Sequence, residues 1–223
     1  MAFMDDLKTD QRTQILVAGI VFFAISFPLY FNYAASNVDE FEASGPIGNY
    51  SVEGTYSYHE IAAGSQYIDD GSTVEIIANS DSAGDEIKGK NLVGVRATLT
   101  YTDDESFSGA PCVGYQNADD QVSAELEYPE MMPTNGQVLS GESIAVEWHV
   151  SDIVDTTVSN MSESGIRMLL DGDGMGEGEH YLDISVSVVE GSGTGLCNTN
   201  DNGEEVAYTI ELISLEYTIT AVE

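Results

Sequence analysis

The sequence predicts an all-β protein in which one N-terminal transmembrane helix precedes an antiparallel β-sandwich of seven or eight strands. An unbroken apolar run extends from Ile15 to Phe31. Downstream of this run, apolar and polar residues alternate with a period of two, as they do in half-buried strands. Gly-rich and Asp-rich stretches separate the alternating segments and supply the turns that antiparallel connections need.

The apolar run has the length and the flanks of a membrane span. Its 17 residues form roughly 25 Å of helix, and continuation to Ala35 gives about 31 Å, which matches a hydrocarbon core. Lys8 and Arg12 precede the run, and the next basic residue is Lys88. Because cytoplasmic flanks carry the excess of Lys and Arg, we predict a single-pass, signal-anchored protein of the cell membrane, with a cytoplasmic N-terminus and an extracellular C-terminal domain.

This orientation divides the chain into four parts. We predict a cytoplasmic tail over residues 1–14, a transmembrane helix over 15–35, a stalk of polar and breaker residues over 36–48, and one extracellular β-sandwich domain over 49–223. Cleavage after Ser36 by a signal peptidase is the alternative, although the length of the apolar region favours retention of the helix.

The alternation locates the strands in order. Apolar residues recur at every second position over residues 50–58, 93–101, 122–128, 144–150 and 182–188, with a shorter candidate around 74–76. In the last segment they occupy even positions from Val206 to Leu212 and odd positions from Ile213 to Ile219. A strand that keeps one face buried needs an extra residue at such a switch, so we predict a β-bulge between Leu212 and Ser214, or else two strands.

The remaining element is a short helix from Ser162 to Leu170, which Ser162 opens and Gly172 stops. The sandwich is expected to be of immunoglobulin-like or jelly-roll type. Trp148 stands 36 residues after Cys112, which is too far for the Cys and Trp core of a true immunoglobulin domain.

The charge of the chain restricts its partners. With 39 acidic and 6 basic residues the net charge is −33, and a surface of this kind repels phosphate backbones, so nucleic acid is excluded as a partner. Such a charge also opposes folding unless salt screens it. An acidic, Lys-poor outer part behind one apolar segment resembles surface proteins of marine or halophilic archaea, and the resemblance implies a cell-surface protein in salty surroundings.

Two pairs of residues point to covalent modification of an exterior domain. Cys112 and Cys197 are the two cysteines of the chain, and we predict that they form a disulfide, because disulfides persist outside the cell. The alternative is two unpaired loop thiols. Asn49 and Asn160 each begin an Asn-x-Ser sequence, which makes them candidate glycosylation sites.

One loop is a candidate calcium site. A single Gly separates Asp171 from Asp173 and Glu177 from Glu179, and Gly-Met-Gly separates the two pairs. Calcium takes six to eight oxygen ligands, and Gly-spaced carboxylates let a loop wrap around such an ion. The EF-hand pattern fails there, since its fifth position is Met175 and its twelfth is Leu182. A second oxygen-rich stretch over residues 198–204 is equally consistent with a hairpin turn. Solvated acidic turns are the alternative for both loops, so no cofactor is expected other than this candidate calcium ion.

Signatures of catalysis are missing from the sequence. It contains no nucleophile elbow, phosphate loop or paired-His zinc motif, so we expect that the protein is not an enzyme. The leading hypothesis is a membrane-anchored extracellular β-sandwich with a binding, adhesion or envelope-structural role. It would contact the membrane through residues 15–35, and an extracellular or envelope protein or a glycan through its loops. The alternative is a pilin-like filament subunit, or an accessory subunit of a larger membrane complex, because pilins resemble this layout of an apolar N-terminal helix before a β-rich head.

Overall fold

The computed structural model describes residues 11–37, 45–102, 106–108, 113–116, 118–129, 131–189, 191–194 and 198–222. The chain divides into two compact units, Met1–Ser44 and Gly45–Glu223.

In the first unit the structure describes helix α1, Gln11–Asn37. Among the described residues, no helix combines the length and the apolar character that a membrane crossing requires. The predictions of a transmembrane helix over residues 15–35 and of a single-pass cell-membrane location are therefore wrong. The unbroken apolar run forms only about 25 Å of helix, whereas a hydrocarbon core is about 30 Å thick. The extension to Ala35 adds the polar residue Asn32.

The second unit is built from strands. They are β1 Gly48–Asp69, β2 Thr73–Asn79, β3 Leu92–Thr100, β4 Ser106–Ser108, β5 Val113–Gln116, β6 Gln121–Glu127, β7 Thr134–Gln137, β8 Ser143–Glu147, β9 Thr157–Met161, β10 Glu179–Ser187, β11 Ser192–Thr194, β12 Asn198–Asn200 and β13 Gly203–Val222. Helix α2, Glu163–Leu170, follows β9, and two 3₁₀ segments cover Ser80–Glu86 and Ser151–Ile153.

Two antiparallel sheets form the body of this unit. One has five strands in the order β8-β3-β13-β1-β9, and the other has four in the order β2-β10-β6-β7. Two smaller ladders pair β4 with β12 and β5 with β11. The mostly β, antiparallel fold predicted by the alternating segments is confirmed, as is the short helix, whose N-cap Ser162 Oγ accepts from Gly165 N at 3.1 Å.

Two hydrophobic clusters lie on opposite faces of the five-stranded sheet. The larger draws buried side chains from both sheets, among them Ile61, Ala97, Leu126 and Ile184, which is the arrangement of a β-sandwich. The smaller lies under α2 and includes side chains such as Val52, Ile166 and Leu215. The five-stranded sheet is therefore covered on both faces over part of its area.

The predicted bulge is right in position but wrong in the strand that carries it, since the β13–β3 ladder shifts register between Ile213 and Ser214 while the extra residue belongs to β3. β13 runs without an extra residue from Gly203 to Val222, and its even residues, such as Ile210, join the larger cluster while its odd residues, such as Leu215, join the smaller one. The register shifts lie on the neighbours of β13: β3 has one more residue opposite Ile213 and Ser214, and β1 has one more between Glu60 and Ala62. The apolar residues of β13 therefore switch from even to odd positions because the strand first buries one face in the larger cluster and then the other face in the smaller one.

The solvent face of the four-stranded sheet carries like charges in register. Asp183 on β10 pairs with Glu75 on one side and with Glu125 on the other. None of the four strands contains Lys or Arg. Like charges directly opposite each other destabilise a sheet, so this row opposes folding at low salt.

Removing one charge from this row should stabilise the protein. We expect Glu125→Gln to raise the free energy of unfolding by about 0.5 kcal/mol in low salt, and by less at about 1 M NaCl, because the cross-strand repulsion is then screened. The matched control is Glu53→Gln, which removes the same charge from a strand position opposite Thr218. Urea titrations at both salt concentrations measure the effect, and equal shifts in the two variants would contradict a local origin.

Candidate functional site

A groove of about 540 Å³ opens beside one end of the two sheets. One wall comes from the 3₁₀ segment Ser80–Glu86 and the turn that follows it, and the other from a loop over residues 171–178, which we call the glycine loop. Side chains of both charges line it: Asp81, Lys88, Lys90 and Glu177. We call it the charged groove. Concave sites with a few convergent polar groups are the usual place for ligands.

Backbone contacts hold the glycine loop in place. Gly172 N donates to Asn91 Oδ1 at 2.7 Å, and Gly178 N donates to Ser80 Oγ at 2.9 Å. A Cβ on Gly172 would overlap the carbonyl oxygen of Leu92, and a Cβ on Gly176 would lie 2.9 Å from Trp148 Cζ2. The loop approaches the sheet this closely because those positions are glycine, and the groove wall is fixed as a result.

A stack of three rings lies under the glycine loop. The Tyr128 ring centroid is 5.2 Å from that of Trp148 and 5.1 Å from that of His180. Tyr128 Oη accepts from Gly176 N at 3.1 Å, and His180 Nε2 lies 3.0 Å from Gly176 O. Since a carbonyl only accepts, Nε2 carries the proton and His180 Nδ1 is an acceptor, with no hydrogen-bond partner among the described residues.

His180 makes the loop sensitive to acid. It has no exposed surface, and burial lowers its pKa from the usual 6.5, while the hydrogen bond to Gly176 O acts in the opposite direction. A lowered pKa means that the unfolded chain binds the proton more tightly, so stability is fully present above pH 6.5 and falls as the pH drops below it.

We expect His180→Phe, which keeps a ring in the stack, to cost about 1 kcal/mol near neutral pH because the hydrogen bond is lost. As the pH falls, this difference from wild type should shrink, because only the wild type carries the buried imidazole. Urea unfolding of both proteins across the range from neutral to moderately acidic pH measures it. A difference that stays constant would contradict the assignment to His180.

The four predicted calcium ligands are distributed along the glycine loop and the strand after it. Asp171 Oδ1 accepts from Tyr217 Oη at 2.6 Å, and burial together with this hydrogen bond raises the pKa of Tyr217 to about 12. Glu179 accepts from Tyr181 Oη at 2.7 Å. Asp173 and Glu177 are exposed. Within the described ranges, no three His, Cys, Asp or Glu side chains are grouped so that they could hold a metal ion.

The other predicted modification sites divide into two groups. Cys112 and Cys197 lie outside the described residues, so the disulfide stays a prediction. Asn49 and Asn160 are both exposed, on β1 and β9, and Asn49 pairs in register with Ser159. Asn160 has a left-handed backbone, with φ of 57°. Both side chains lie on the surface, as candidate glycosylation sites must.

Ser214, His59 and Glu86 lie in a row, but the serine is inaccessible to substrates. His59 Nε2 is 2.9 Å from Ser214 Oγ, and His59 Nδ1 is 4.0 Å from Glu86 Oε2. This order of groups is the one that activates a nucleophilic serine. Ser214 has no exposed surface, so a substrate carbonyl cannot approach its oxygen, and the hydrogen bond serves to pair two buried polar groups.

The basic residues of the groove were missed by the sequence reasoning, which followed the carboxylates. A signal was available: Lys88 and Lys90 are two of the four bases after the apolar run, and they are separated by one glycine. The ring stack was not visible in the sequence, because Tyr128, Trp148 and His180 come from three distant segments. No protein-family model and no curated protein matches the chain.

Proposed function

We propose that the second unit is a non-catalytic binding module and that the charged groove is its binding site. The observation that carries the proposal is that Lys88 has no ion pair among the described residues. The other three bases of the unit are each paired: Lys90 with Glu216 at 3.3 Å, Arg96 with Glu211 at 2.7 Å, and Arg167 with Glu163 at 2.7 Å. Among the described residues, Lys88 has no ion pair, although the chain carries 39 acidic residues.

An unpaired lysine at a rigid groove supports binding rather than packing. A lysine that served only folding would be expected beside one of the many carboxylates, as the other bases are. Because Ser214 is buried, its row with His59 and Glu86 lends no support to a catalytic role. The partner would be a protein or a glycan that presents a group to Lys88, which agrees with an adhesion or envelope-structural role. Whether the sandwich is immunoglobulin-like or jelly-roll stays a prediction, as does the resemblance to halophilic surface proteins.

A fragment screen by NMR on the full-length, ¹⁵N-labelled chain tests the site. We expect binding fragments to shift the amide signals of residues 80–92 and 174–177. Met175→Trp should block the groove and remove those shifts, while the matched control Met132→Trp, at a side chain that is 86% exposed in another loop, should keep them. Binding that maps only to other surfaces, or no binding at all, would contradict the proposal.

The second candidate function is an assembly subunit, and α1 is the observation that favours it. Large apolar side chains around this helix are more than half exposed, among them Ile20, Phe22, Phe23, Phe27 and Leu29. A helix that is apolar all round is normally buried. We propose that α1 packs against α1 of further copies of the chain, as in a pilin-like filament, and that salt permits this by screening the net charge of −33.

Sedimentation velocity of the full chain at about 1 M NaCl tests the assembly. Phe23 and Phe27 stack with ring centroids 5.4 Å apart. Replacing both, Phe23→Asp with Phe27→Asp, places two charges on this apolar surface and should dissociate the oligomer. Gln11→Asp, at an exposed position at the start of the helix, is the control and should leave the oligomer intact. A monomeric wild type, or an oligomer that survives the double substitution, would overturn this candidate.

A further inference from the structure

We infer that the charged groove binds a zwitterionic ligand, in which a carboxylate and an ammonium group are joined by a short apolar linker. This inference rests on the proposed function and names the class of ligand. Four charged side chains line the groove: Lys88, Lys90, Asp81 and Glu177. Lys90 is already paired with Glu216, which leaves Lys88 as the cation available to a ligand carboxylate.

The two acidic side chains are available to a ligand cation. Asp81 and Glu177 are exposed, and neither carboxylate has a hydrogen bond or an ion pair among the described residues. Ionised carboxylates only accept hydrogen bonds, so they favour an ammonium group, which only donates. Lys88 and Asp81 on one wall and Glu177 on the other therefore place charges of both signs in one groove, which matches a ligand that carries both signs.

The net charge of the chain disfavours ligands that carry a single charge. With a charge of −33, the field of the protein repels a plain anion before it reaches Lys88. A plain cation is attracted, but the row of Glu75, Asp183 and Glu125 attracts it as well, so the groove gives such a ligand no preference. A zwitterion has no net charge to repel, and its two ends gain from Lys88 and from the acidic side chains at once.

The floor of the groove suits an apolar linker. Ile87 and Met175 are half-buried there, and Leu92 is 6% exposed. Gly89 and Gly174 also line it, and a Cβ at either position would meet nothing within 4 Å, so both leave open space. The backbone N–H groups of these two glycines donate to no other described residue and add uncommitted donors to the groove.

The test uses the full chain and a series of ω-amino acids as probes: 3-aminopropanoate, 4-aminobutanoate, 6-aminohexanoate and 8-aminooctanoate. Hexanoate and hexylamine are the single-charge controls. We expect one chain length to bind best and to shift the amide signals of residues 87–91 and 174–177, while hexanoate shifts none of them. Lys88→Gln should weaken binding about tenfold, which corresponds to roughly 1.4 kcal/mol. Lys88→Arg should retain most of it.

Lys90→Gln is the matched control, because it changes the net charge by the same amount but removes a lysine that Glu216 already occupies. We expect it to weaken binding by less than Lys88→Gln does. Equal losses in the two variants, or hexylamine binding as tightly as 6-aminohexanoate, would overturn the inference. If no ω-amino acid binds while other fragments still shift the groove, the inference fails and the proposed function stands. If nothing shifts the groove, both fail.

Discussion

Replacing both cysteines, Cys112→Ser with Cys197→Ser, should lower the free energy of unfolding by about 4 to 5 kcal/mol, because the disulfide closes a loop of about 85 residues in the unfolded chain. The described strands beside the two positions support the pairing. Ser108 pairs with Asn198, and Val113 pairs with Thr194, while Cys112 directly precedes Val113 and Cys197 directly precedes Asn198. The two segments are thus joined by backbone pairing before and after the cysteines.

The measurement is urea unfolding of the full chain purified without reductant. Dithiothreitol should destabilise the wild type by the same amount as the double substitution, and it should have no further effect on the double variant. Each single variant should behave like the double one. If the unreduced wild type reacts with two equivalents of maleimide under denaturing conditions, both thiols are free and the prediction is wrong.

The strands show which part of the fold follows from sequence patterns. Alternation located every long strand, because a strand with one buried face has a period of two. Six short strands were missed: β4, β5, β7, β9, β11 and β12. For example, Thr134–Gln137 contains no large apolar residue, and Thr157–Met161 contains two, Val158 and Met161. Strands of this kind are formed by pairing with a neighbour, and a pairing between distant segments is not encoded in local composition.

β13 shows where a correct pattern leads to a bulge at the right position but on the wrong strand. The switch of apolar residues from even to odd positions after Leu212 is real, but the prediction assumed that one face of the strand faces one core. In the structure α2 covers the second face, so both phases are buried in turn. Whether a second layer covers a sheet depends on tertiary packing, and the position of α2 cannot be predicted from the local sequence of β13.

The candidate site was half visible in the sequence. Residues 171–179 attracted attention through their carboxylates, yet Gly172 and Gly176 position the loop, and Asp171 and Glu179 accept from tyrosines. The lysines on the facing wall come from a segment about 85 residues earlier in the chain. The sequence shows that lysines are rare in this chain. It does not show that the lysine segment and the glycine loop lie next to each other, because that contact is formed only in the folded protein.

Gly172→Ala should be among the most destabilising substitutions in the glycine loop, with a loss of about 3 kcal/mol in the free energy of unfolding. The added methyl group would overlap the carbonyl oxygen of Leu92 and lie 2.9 Å from Trp148 Nε1. These two atoms form a hydrogen bond of 2.7 Å with each other. The loop must therefore move away from β3, which also separates Gly172 N from Asn91 Oδ1.

Two measurements test the effect of Gly172→Ala. Urea unfolding gives the loss of stability, and fluorescence reports on Trp148, which is the single tryptophan of the chain; its emission should shift to longer wavelength as the loop leaves the indole. Gly136→Ala on β7 is the matched control, because a Cβ there meets nothing within 4 Å, and its stability should stay within about 0.5 kcal/mol of wild type. A Gly172→Ala protein that matches this control in both readouts would show that the loop is not held against β3. The charged groove would then lack the fixed wall from which its binding function is inferred.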